Sequence, residues 1–266
     1  MKKLLSIAAI AFSALSVCAQ EYTEAQLKRM DRERIVPSKV ITKTGDTLVG
    51  YLRIMKVPTA KDLGYYPPEE HVNVIVTAPE VEFSCKIKFL SEADFNGEKV
   101  KNSMYKTYSP KLINGYIYDY KGQNLIFRTV NMKCGNFTYN GETFAKYVKD
   151  LPNGEIFYEY YYPFNVNFGT PTYEEVEPFT HSHYAVYLPS TGRTVLVADQ
   201  KPEEFYATRC PQIVERWKNN EYTNVSGKKE SKLNKLAKLA SKIDQGLKDE
   251  ARKKAFDDYL KTCIEK

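Results

Sequence analysis

The sequence predicts a mainly β protein with a C-terminal α region, in which antiparallel sheets, arranged as a sandwich or open barrel, carry a docked helical tail. Three observations predict it. Short β-branched and aromatic runs recur at roughly 8 to 15 residue intervals with no helical period between them, the pattern of hairpins rather than βαβ units. Glycine, proline, asparagine and aspartate punctuate those runs. Near Asp199 the apolar spacing changes from two to three and four residues.

The first 19 residues read as a signal peptide, with Lys2 and Lys3 ahead of an apolar run from Leu4 to Val17. That run is shorter than the roughly 20 apolar residues a membrane-spanning helix needs. Small residues at Val17-Cys18-Ala19 place cleavage after Ala19. The alternative is lipidation at Cys18, for which Val17 is a bulky predecessor. Cleavage leaves 247 of the 266 residues and lowers the net charge from +6 to +4, as Lys2 and Lys3 are lost. So mild a charge argues against a nucleic-acid partner. The domains expected are thus 1–19 signal peptide, 20–200 β-rich and 201–266 helical.

Residues 21–37 are charged and weakly periodic, consistent with a short helix or an extended lead-in. The stretch from Lys39 to Met55, KVITKTGDTLVGYLRIM, is a hairpin turning at Thr44, Gly45 and Asp46. In its second arm Leu48, Gly50, Leu52 and Ile54 share one face and Val49, Tyr51 and Arg53 the other. Pro58 to Glu70 is an irregular connection. Strands follow at Val72–Thr77 and Ser84–Leu90, where Cys85, Ile87 and Phe89 alternate with Lys86 and Lys88 and so face inward. Gly115–Tyr120, Asn124–Val130, Thr143–Lys149 and Glu155–Tyr162 are the next strands, and LPNGEI forms a tight turn with Gly154 at positive φ. His183–Leu188 and Thr194–Ala198 pair through Pro189 to Gly192. Pro202 and Pro211 each stand where a first helical turn begins. From Lys228 to Lys266 a long helix carries an apolar stripe from Leu233 through Ile243, Phe256, Tyr259 and Leu260 to Cys263.

The motifs GDTLVGYLR, YSPKLINGYIYDYKG, LPNGEIFYEYYY and FYATRCPQIVERW, in this order after a signal peptide, resemble uncharacterised exported proteins of Bacteroidetes with an N-terminal GDTLxGY hairpin and a helical tail. The resemblance implies an envelope or secreted location and brings no catalytic residues.

Candidate site residues are few. The chain holds 21 tyrosines, and Tyr158, Tyr160 and Tyr162 alternate on one strand, where they could stack sugars or pack across strands. His181 and His183 share a strand face at a spacing able to hold zinc or copper, although the opposite parity of Tyr184, Val186 and Leu188 points them towards water. Glu174, Glu175 and Glu177 lack the spacing of a calcium loop. Six lysines between Lys228 and Lys242 form a basic stretch suited to an anionic surface. No nucleophile elbow, P-loop or dinucleotide fingerprint is present, and no cofactor is implied. Four cysteines remain after cleavage and allow three pairings; Cys210 and Cys263 fall at ends of two helices that antiparallel packing would bring together as a disulfide, the alternative being that both are buried thiols acting as small hydrophobes. The function expected is an exported, non-catalytic envelope protein that binds a glycan, a protein or an anionic lipid surface. A cell-envelope hydrolase whose residues converge only in three dimensions is the alternative.

Overall fold

The structure, a computed structural model, describes residues 22–53, 86–95, 100–120, 122–133, 140–160, 183–222 and 250–265. The signal peptide, the strand at Val72–Thr77, Cys85, Cys134, Tyr162, His71, His181, the acidic run at Glu174 to Glu177, the basic stretch from Lys228 and Ile243 lie outside these residues.

Helix α1 (Glu24–Glu33) starts at a capping box: the Gln26 amide donates to Thr23 Oγ1 at 3.3 Å and the Thr23 amide donates to Gln26 Oε1 at 2.9 Å. It ends at Arg34 in the left-handed region, φ 54°. Among the described residues ten strands follow: β1 (Ile35–Thr42), β2 (Thr47–Arg53), β3 (Ile87–Ser91), β4 (Lys106–Tyr108), β5 (Ile113–Tyr120), β6 (Gln123–Lys133), β7 (Asn140–Asp150), β8 (Ile156–Tyr160), β9 (His183–Leu188) and β10 (Arg193–Leu196). Helices α2 (Pro202–Phe205) and α3 (Pro211–Lys218) each take proline at the start, as expected. A last helix, α4, runs through residues 250–259 into a π-helical turn at Leu260–Ile264.

All ten strands belong to one sheet, in the order β10-β9-β8-β7-β6-β5-β1-β2-β3-β4. The expected hairpin is β1–β2, with Gly45 at φ +93° and the Thr42 amide donating to the Asp46 carbonyl at 2.9 Å. At the β7–β8 turn both Asn153 (φ 62°) and Gly154 (φ 72°) are left-handed, and the Glu155 amide donates to the Pro152 carbonyl, as in a type I′ turn. Strand β4 has no counterpart in the sequence reading, being too short to show a period.

The sheet also closes partly on itself. Strand β10 pairs with β6 in parallel through Thr194↔Met132 and Val195↔Lys133, so β6 to β10 form a five-stranded ring. On β6, Leu125 and Phe127 join a core shared with β1 to β5, whereas Val130 and Met132 join the core inside the ring. Phe144 and Ala145 of β7 divide in the same way. Adjacent parities point to opposite faces, so the two cores lie on opposite sides of one continuous sheet.

Both faces of β2 are buried at its centre, which departs from the single core face expected. Leu52 packs in the main core, while Tyr51 packs with Met30 of α1, Ile35, Leu90, Phe95 and Val100. Gly50 permits this crowding, because a Cβ there would lie 2.2 Å from the Leu90 carbonyl oxygen.

The helical tail is docked on the outer face of the ring. Phe256, Tyr259 and Leu260 bury themselves against Phe157, Val186, Phe205, Tyr206 and Ile213, with Phe256 4.9 Å from the Phe157 ring. Each such ring removed from water contributes roughly 2 to 3 kcal/mol. The tail is held covalently as well, since Cys210 and Cys263 form a disulfide with Cα atoms 6.2 Å apart. An ion pair joins the β7–β8 turn to α2 and α3: Arg209 Nη2 meets Glu155 Oε1 at 2.5 Å, while Arg209 Nη1 donates to the Phe205 carbonyl at 2.6 Å. Among the described residues, no helix is long and apolar enough to cross a membrane.

Candidate functional site

The ring has one polar, aromatic end. Strands β6, β8 and β10 run one way and β7 and β9 the other, so the starts of the first three and the ends of the other two meet at the same mouth. The inward parity places Arg128, Tyr147, Ile156 and Tyr187 there, all half-buried. Deeper positions of the same parity, Met132, Ala145, Tyr160, Ala185 and Leu196, are fully enclosed.

The groups at the mouth hold one another. The Arg128 guanidinium lies 4.2 Å from the centre of the Tyr147 ring, a cation–π contact. Arg128 also hydrogen-bonds the Tyr158 phenol, and the Tyr147 phenol meets the carboxylate and backbone of Asp150. A β-bulge between Tyr147 and Lys149 locally re-aims the strand, which carries Asp150 to the same end. Burial raises the Tyr147 phenol pKa, the Asp150 charge adds to this, and Arg128 opposes it. Burial likewise raises Tyr158. Both phenols are therefore neutral donors at physiological pH. The mouth offers two aromatic rings, a guanidinium donor and a carboxylate acceptor.

The tyrosines singled out from the sequence do not form a surface platform. Tyr158 and Tyr160 are 4% and 0% exposed, and both point into the ring, where Tyr158 meets Tyr147 edge-on at 6.4 Å. Their alternation reflects cross-strand packing, and Tyr162 lies outside the described residues. His183 stands opposite Tyr160 and shares parity with the buried Ala185, which puts its half-buried side chain on the ring side. With His181 outside the described residues, the pair cannot be placed as a metal site. Among the described residues, no group of three or more His, Cys, Asp or Glu side chains could hold a metal ion. Arg128 and Asp150 escaped the sequence reading, although a cation at the parity of Val130 and Met132 is a signal that would have found the first.

A second polar cluster lies where α4 crosses β8 and β9. Burial raises the Asp257 carboxyl, against its hydrogen bond with Tyr184 and the charges of Lys261 and Lys253, while the Glu159 carboxylate adds to the rise. The Tyr184 phenol is pushed up to about 12 by burial and then by Asp257. Lys146 neutralises Glu159 at 2.9 Å. The neighbouring Asp258 behaves oppositely: burial alone would raise it, but hydrogen bonds from Tyr222, Arg216 and Thr262 outweigh that and hold it below the usual carboxylate value. Compared with known proteins, the chain matches no family model, no curated protein and no solved structure.

Proposed function

We propose that this is an exported, non-catalytic protein of the cell envelope that binds its partner at the mouth of the β6–β10 ring. The observation that carries the binding reading is the mouth itself, where half-buried Tyr147 holds a guanidinium at its ring and a carboxylate at its hydroxyl, with Tyr187 at the same inward parity. Export is supported by the Cys210–Cys263 disulfide, which persists in oxidising compartments, together with the apolar run after Lys3 and the resemblance to exported proteins of Bacteroidetes. Sedimentation of the purified protein with an isolated envelope fraction tests the binding. The wild type should pellet with it, while Tyr147→Ala and Tyr187→Ala should stay in solution although each still unfolds in a cooperative thermal transition, at a somewhat lower temperature. Pelleting that both variants retain, or no pelleting of the wild type, overturns the reading. Export is tested by the mass of the chain recovered from cells, which should begin at Gln20.

An envelope hydrolase is the second reading, favoured by Asp257 and Glu159. Two carboxylates share a cluster in which one is raised and the other is paired with Lys146. Hydrolysis of an envelope polymer that Asp257→Asn abolishes would support it.

A further inference from the structure

We infer that the ligand held at the ring mouth is a neutral, hydroxyl-rich saccharide; this rests on the mouth being the binding site and adds the class of ligand. The argument begins with charge. Arg128 and Asp150 both act on the Tyr147 phenol, one from its ring face and one from its hydroxyl, so their opposite charges fall within one small site. An anionic ligand drawn to Arg128 would meet the Asp150 carboxylate, and a cation drawn to Asp150 and the two rings would meet the Arg128 guanidinium. Neither sign of charge is favoured.

The hydrogen-bonding inventory selects further. Arg128 only donates and the Asp150 carboxylate only accepts, whereas a sugar hydroxyl does both and can bridge the two. The half-buried Tyr187 ring supplies an apolar surface for the C–H side of a pyranose, and the Tyr147 hydroxyl, raised by burial, stays neutral beside it. A purely apolar ligand would desolvate the Arg128 and Asp150 groups without replacing their water. A peptide could use the same donors and acceptors, but its charged side chains or termini would meet the opposed pair, and among the described residues β6 to β10 are already paired around the ring.

Binding of the wild-type protein to an array of immobilised neutral and acidic glycans tests the inference, with Tyr187→Ala and Asp150→Ala run in parallel and melting temperatures as a folding control. Neutral glycans should be bound, and each variant should weaken that binding about tenfold through loss of one stacking or hydrogen-bonding contact. Binding confined to acidic glycans overturns the inference, as does neutral-glycan binding that both variants keep. Failure to bind any glycan, combined with envelope sedimentation that still depends on Tyr147 and Tyr187, ends the saccharide assignment and leaves the mouth as a site for another ligand.

Discussion

Removing the Cys210–Cys263 bridge separates what the covalent link contributes from what packing contributes to the helical tail. The two cysteines are 53 residues apart, and chain entropy for closing a loop of that length gives about 4 kcal/mol of stabilisation. The bridge closes a loop that includes Phe256, Tyr259 and Leu260 of α4, which remain able to dock without it. Cys263→Ala should therefore fold and lose about 4 kcal/mol, a large share of the 5 to 15 kcal/mol typical of a domain. Urea unfolding measures this: with a slope of about 3 kcal/mol/M, the midpoint should fall by about 1.3 M. Reductant should move the wild type to the same midpoint and leave the variant where it is. A loss under about 1 kcal/mol, or a wild-type curve insensitive to reductant, would refute the loop-closure argument.

Phe256→Ala empties a fully enclosed position between Phe157, Tyr184 and Tyr259 and should cost about 3 to 5 kcal/mol by thermal or urea unfolding; an unchanged midpoint would mean that α4 is not docked. Gly50→Ala drives a Cβ into the Leu90 carbonyl, so it should prevent recovery of folded protein where Gly45→Ala, with open space around its Cβ, remains foldable though strained. Asp258 and Asp257 should show opposite pH dependence. Asp258 is depressed below its ordinary 3.8, so its contribution is present above that value and lost as pH falls through the folded value; Asp258→Asn should flatten the acid limb of the stability curve. Asp257 is raised, so its contribution is present below 3.8 and lost as pH rises through its folded value, and Asp257→Asn should be neutral or stabilising at pH 7. Arg209→Met leaves Glu155 buried without its partner and should destabilise by about 3 to 5 kcal/mol, measured by the same unfolding assay.

What the sequence determined by itself is local. Alternation of period two, the glycine and asparagine at Gly45, Asn153 and Gly154, and the prolines at Pro202 and Pro211 define strands, turns and helix starts through backbone preferences that act over a few residues. The Cys210–Cys263 pairing was also legible, because helix geometry places each cysteine at the end of an element and few partners were open to either. Tertiary structure decided the rest. Parity states that Tyr158 and Tyr160 share a face and that His183 joins Ala185, but not which face meets a core, and here both faces of β8 and β9 are covered: the ring interior on one side and α2 to α4 on the other. The parallel β10–β6 closure that encloses Tyr160 has no local signal, since its hydrogen bonds join segments some sixty residues apart in a register that no turn dictates. Arg128, Tyr147, Asp150 and Tyr187 come from three strands, and only the closing of the ring gathers them at one mouth.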